Sequence, residues 1–111
     1  METEEMQIAK IEDSILETVF SAGRLDVHVL REKLSGFSNP RKAGRHKLTK
    51  EDVMWLIGRL IRKGWLKKQR RFLWIPVNSR TIVKLGELGL IDARPINPMK
   101  TEVLREYEHG N

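Results

Sequence analysis

The stretch from Thr49 to Gly64 constrains this chain more than any other, because it specifies where a helix starts, which face it buries and where it stops. Thr49-Lys50-Glu51-Asp52 fits the capping-box pattern, in which a hydroxyl and a carboxylate satisfy backbone N–H groups at a helix start. Asp at the last place is shorter than the usual Glu. Val53, Leu56, Ile57 and Leu60 follow at i, i+3, i+4 and i+7, the spacing of one buried stripe. Gly64 suits the position just past the helix, where a left-handed residue closes it. Trp65-Leu66-Lys67-Lys68 and Phe72-Leu73-Trp74-Ile75 come next, around Gln69-Arg70-Arg71, and read as two short strands joined by a basic turn. The turn holds neither Gly nor Asn, which argues against a tight two-residue loop. Alternation about Arg70-Arg71 places Leu66, Lys68, Leu73 and Ile75 on a core-covering face. Trp65, Lys67, Phe72 and Trp74 fall on the other, a composition suited equally to cross-strand aromatic pairing and to stacking on bases.

Upstream, Ile8, Ile11, Ile15 and Val19, with Leu16 and Phe20 beside them, predict a helix over roughly residues 4–21. Its outer face is expected to be acidic, with Glu12, Asp13 and Glu17, and Gly23 supplies the stop. Arg24-Leu25 reads as a short extended piece. Asp26 is the N-cap candidate for a second helix with the stripe Val27, Leu30 and Leu34, ended by Ser35-Gly36. Residues 37–48 lack periodicity and contain Asn39-Pro40, Gly44 and four basic residues, which predicts a mobile basic loop. Downstream, Ser79 is a cap candidate for a helix carrying Ile82, Leu85 and Leu88 and closed by Gly89. The β-branched Thr81-Ile82-Val83 fits a strand as well. Asn97-Pro98 suits the start of a last helix with Met99, Val103, Leu104 and Tyr107 on its apolar side.

The charge follows the same map. The chain of 111 residues has a net charge of +6. Twelve basic residues lie between Arg41 and Arg71, opposed only by Glu51 and Asp52, a balance of +10. The remaining nine basic and thirteen acidic residues give −4, so the basic excess is confined to the loop, the third helix and the hairpin. Such a distribution offers one face to a polyanion and suggests that the acidic faces point away from it. There is no cysteine, which excludes disulfides, zinc fingers and thiol catalysis. His28, His46 and His109 are far apart in sequence and none has a second His or a Cys at helical spacing, so no metal site is expected. No phosphate loop, no nucleophile elbow and no paired carboxylates in a plausible pocket occur, and neither catalysis nor a cofactor is expected. Apolar runs are only a few residues long, too short for a membrane span. Glu2, Glu4 and Glu5 are the opposite of a secretory leader, so the expected location is cytoplasmic, associated with the nucleoid, or nuclear.

The order helix, short extended piece, helix, loop, capped helix, Gly and basic hairpin resembles the winged helix-turn-helix domain over roughly residues 4–77. The most specific part is Leu48-Thr49-Lys50-Glu51-Asp52-Val53 through Leu60-Ile61-Arg62-Lys63-Gly64-Trp65-Leu66, similar to the junction where a recognition helix hands over to the wing. One departure is the linker of about a dozen residues between the second and third helices, where a strict helix-turn-helix uses three or four. The resemblance implies an α+β, mainly α, fold of three helices and a β-hairpin wing over residues 1–78, with a helical extension over 79–111. That extension would pack on the first helix or form a homodimer.

The resemblance also implies double-stranded DNA as partner and transcriptional regulation as role. The helix carries Trp55, Arg59 and Arg62 opposite its apolar stripe, one outward ridge around Gly58. Docked in a major groove, its arginines would reach guanine edges or phosphates. Trp55 would stack on nucleic acid or be packed beneath the loop or a partner. Arg41, Lys42, Arg45 and Lys47 of the loop, Lys50 and Lys63 at the helix ends, and Lys67, Lys68, Arg70 and Arg71 of the wing complete the candidate interface. Two alternatives stand beside it: an RNA-binding, ribosome-associated winged helix, and a protein-interaction module in replication or recombination that docks through its tryptophans.

Overall fold

The computed structural model describes residues 2–92. The Asn97-Pro98 helix, its Met99/Val103/Tyr107 stripe and the dimer expected through it lie outside those residues. Among the described residues the chain forms four helices and one three-stranded sheet, an α+β architecture: α1 (Glu4–Ala22), β1 (Arg24–Asp26), α2 (Val27–Lys33), α3 (Lys50–Arg62), β2 (Lys67–Gln69), β3 (Phe72–Trp74) and α4 (Ser79–Glu87).

α1 starts at Thr3, whose hydroxyl accepts from the Met6 N–H. It buries Ile8, Ile11, Ile15, Leu16 and Val19, while Phe20 is exposed rather than in the stripe. Asp26 ends β1 and caps α2 at once: its carboxylate accepts from the His28 N–H at 2.8 Å. Val27, Leu30 and Leu34 are buried as their spacing requires. The α3 capping box forms with Asp at its last position, the Asp52 N–H donating to Thr49 Oγ1 at 3.2 Å and the Thr49 N–H to Asp52 Oδ2 at 2.8 Å. At the other end Trp65 N–H reaches Leu60 C=O and Gly64 N–H reaches Ile61 C=O, both at 3.0 Å, with Gly64 at φ 80°. That is a Schellman closure, and it turns the chain straight into the hairpin.

The sheet order is β1-β3-β2, all antiparallel. Leu25 pairs with Leu73, and Leu73 with Lys68, so the inner face of the sheet closes over the helices. Leu25, Leu66 and Leu73 are buried with the stripes of α1, α2 and α3 in one core. The outer face carries two rows, Arg24–Trp74–Lys67 and Asp26–Phe72–Gln69.

Three expectations change. The register Gln69↔Phe72 leaves only Arg70 and Arg71 between the strands, a two-residue loop after all. Arg70 supplies the left-handed residue such a turn demands, at φ 57°, where Gly or Asn was expected. Trp65 precedes β2 and does not join the outer face: it is half-buried against the core, with Lys63 Nζ 4.9 Å and Lys84 Nζ 4.7 Å from its ring. Residues 79–87 are helical, because Asn78, not Ser79, caps them. Asn78 Oδ1 accepts from the Thr81 N–H at 2.9 Å, the Asn78 N–H donates to Thr81 Oγ1 at 3.0 Å, and Thr81 is buried by this lock. Ile82 is exposed, leaving Leu85 buried and Leu88 against the core.

Candidate nucleic-acid interface

Local sequence positions most of the twelve candidate cations. The basic loop is pinned rather than mobile in its base. Ser38 and Lys47 form an isolated antiparallel bridge, and the Asn39 N–H donates to His46 C=O at 2.6 Å. Asn39 is buried; its side-chain amide donates to Asp52 Oδ2 at 2.8 Å, and its Oδ1 accepts from the Arg41 N–H at 2.9 Å. One asparagine therefore ties the loop to the cap of α3. Lys42, Arg45 and Lys47 are exposed on that loop, and Lys50 is exposed in the first turn of α3 beside it.

Asp52 is the electrostatic centre of this junction. Burial pushes its carboxyl pKa up. Hydrogen bonds from the Thr49 backbone and hydroxyl, with Lys42 and Arg41 nearby, outweigh that and hold it below the usual carboxylate value.

The ridge on α3 is only partly as its spacing suggests. Arg62 is exposed. Trp55 is half-buried and packed against the core, with two guanidinium groups over its ring, Arg41 at 4.5 Å and Arg59 at 5.1 Å. The loop covers it. Arg59 leans to the flank that faces α1 and meets Glu12 Oε2 at 3.5 Å and Glu5 Oε2 at 3.8 Å. Lys63, one turn on, meets Glu12 Oε1 at 3.1 Å. Glu12 is only 3% exposed, so it is not on an outer acidic face. It is a buried carboxylate satisfied by two cations of α3. Asp13 likewise bonds Lys84 of α4 at 2.9 Å.

On the hairpin, Arg71 is held by Asp26 at 3.0 Å, its carbonyl accepting from the Val27 N–H at 2.8 Å. Arg70, at the tip, and Lys67 and Lys68, on the edge strand, are exposed. Of the twelve candidate cations, Arg59, Lys63 and Arg71 are engaged by carboxylates. The other nine (Arg41, Lys42, Arg45, Lys47, Lys50, Arg62, Lys67, Lys68 and Arg70) make no ion pair among the described residues.

Sequence reasoning did not single out Asn39, Glu12 or Arg24. Asn39-Pro40 is a visible turn signal, but the reach of Asn39 to Asp52 crosses thirteen residues, and that of Glu12 to Lys63 crosses fifty-one. Only the fold makes these neighbours. Among the described residues, no cluster of three or more His, Cys, Asp or Glu is placed to hold a metal ion, and no helix is long and apolar enough to cross a membrane. Comparison with protein-family models, curated proteins and solved structures finds no match to this chain.

Proposed function

We propose that this chain is a double-stranded DNA-binding domain of the winged helix-turn-helix kind, acting without catalysis in transcriptional regulation. The observation that carries the reading is the set of nine cations that make no ion pair among the described residues, on the pinned loop, on α3 and on the hairpin. A cation already neutralised by a buried carboxylate gains less from a phosphate than one facing water. The element order α1-β1-α2-α3-β2-β3, with β1 paired to β3, supports the same reading, since a winged helix docks its third helix and wing together. In this arrangement Arg62 faces the groove. Lys42, Arg45, Lys47 and Lys50 take one flank of backbone, and Lys67, Lys68 and Arg70 the other. Arg59, Lys63 and Arg71 hold the scaffold instead.

The test is anisotropy of a labelled duplex titrated across salt concentrations. Log affinity should fall with log salt at about −0.9 per phosphate contacted. Arg62→Ala with Arg70→Ala should flatten that slope, whereas Arg59→Ala should mainly lower stability. Undetectable duplex binding at low salt sinks the proposal. Preference for structured RNA would reassign the surface to RNA. Weak, salt-tolerant binding would favour a protein partner on the Met54, Trp55 and Ile61 side of α3, where Ile61 is exposed.

A further inference from the structure

The outer face of the sheet belongs to none of the contacts assigned above except through Lys67. On β3, Phe72 and Trp74 stand two residues apart and so project from the same face. Both are half-buried, and neither joins the apolar side chains packed on the core. Register sets a cation on each side of Trp74, Arg24 from β1 and Lys67 from β2. The Arg24 guanidinium also lies 4.1 Å from the Phe72 ring centroid, with Arg71 on that ring at 5.4 Å. The result is a short aromatic track lined by positive charge, with Gln69 and Asp26 flanking Phe72.

We infer that this sheet face is a stacking platform for single-stranded DNA, taking one unpaired base on Trp74 and the next on Phe72 or its stacked Arg24 guanidinium. The spacing decides against a duplex here. Side chains at i and i+2 of a strand are about 6.6 Å apart, roughly twice the 3.4 Å step of stacked bases in a duplex strand. Neighbouring bases fit two such rings only when the strand is opened out, which base pairing forbids. Arg24 and Lys67 lie where the phosphates of an opened strand would pass, and guanidinium planes stack on bases as aromatic rings do. DNA is the expected strand because Lys67 is continuous with Lys68 and Arg70 of the proposed duplex surface. To that extent the inference rests on the duplex reading. A domain with both surfaces would hold a junction between paired and unpaired DNA.

The experiment measures binding of a labelled oligo(dT) of about twelve nucleotides, within the range of single-strand sites, and of a blunt duplex, by the intact chain and its variants. Trp74→Leu keeps an apolar side chain on the strand but removes the stacking surface. It should weaken oligo(dT) binding by about 5- to 100-fold and leave duplex binding within about twofold. Trp74→Phe should recover most of the loss, and Arg24→Glu should weaken oligo(dT) binding without a Trp74 change. Circular dichroism confirms that each variant folds; if the Leu variant does not, Arg24→Glu carries the test, and oligo(dT) affinity unchanged in it overturns the inference. Oligo(dT) affinity unchanged in Trp74→Leu overturns the inference, as do equal losses for oligo(dT) and duplex. A preference for oligo(U) over oligo(dT) overturns it as a DNA site. Oligo(dT) binding that depends on Trp74 with no duplex binding supports the platform while removing the duplex reading. Duplex binding with no oligo(dT) binding does the reverse.

Discussion

Asp52 shows how one side chain serves local structure and the candidate surface together. Its carboxylate closes the capping box, holds Asn39 of the loop and sits among Lys42 and Arg41. Because its folded pKa is depressed, its contribution is complete above the ordinary carboxylate range and is lost as pH falls through the lowered folded value. Asp52→Ala should therefore cost about 1–2 kcal/mol at neutral pH, and the gap from the parent should narrow in acid, as urea unfolding across pH would record. Gly58 is a second single-residue probe. Beyond its own helix backbone and chain neighbours, a Cβ there would meet nothing within 4 Å. Gly58→Ala should raise stability by about 1 kcal/mol in a thermal melt. If α3 lies close against a groove floor, the same methyl should weaken duplex binding, so the two readouts move in opposite directions.

The hairpin carries the comparable trade at the level of an element. Its two-residue turn forces Arg70 to φ 57°, a conformation that costs an L-residue about 1–2 kcal/mol. Register and packing hold it there: Leu73 is fully buried between Leu25 and Lys68, and Arg71 is tied to Asp26. Arg70→Gly should stabilise the fold by about 0.5–1 kcal/mol and weaken duplex binding, visible as a higher melting temperature beside a shallower salt slope. Under the duplex proposal, a charged residue placed where glycine is easier is local strain kept for its reach to DNA. The loop before α3 illustrates the opposite case. Its composition suggests mobility, yet one buried asparagine and one β-bridge order its base.

Across the whole molecule, charge is less segregated than its distribution along the chain suggests. Acidic residues of α1 and β1 do not simply face away from the basic segment. Glu5 and Glu12 engage Arg59 and Lys63, and Asp26 engages Arg71. The fold thus divides the basic excess into cations that hold the scaffold and cations that face water. Glu12→Gln separates the two roles. It keeps the shape but removes the charge that holds two cations, and should cost about 1–3 kcal/mol in urea unfolding. Under the duplex proposal it should also tighten DNA binding at low salt, since Arg59 and Lys63 become available to phosphates. Loss of stability with no gain in affinity would place both cations away from the DNA.

The sequence by itself determined the elements. The apolar stripes, the caps Asp26 and Thr49 and the stops Gly23 and Gly64 delimit α1, α2 and α3, and the alternation around Leu66 and Leu73 shows which side of the hairpin is buried. These signals were legible because each depends on residues within one or two turns, where periodicity and hydrogen-bonding groups act directly on the backbone. They also marked out the basic segment as the candidate surface. Only the tertiary structure decided which of those cations stay available. It brought Glu12 beneath α3, set Arg24 beside Trp74, moved Trp65 under α4 and laid Arg41 over Trp55. Such pairings span tens of residues and arise when the apolar stripes pack together. Burying those stripes fixes how the helices and sheet sit, and the polar side chains then take the partners that this arrangement puts within reach.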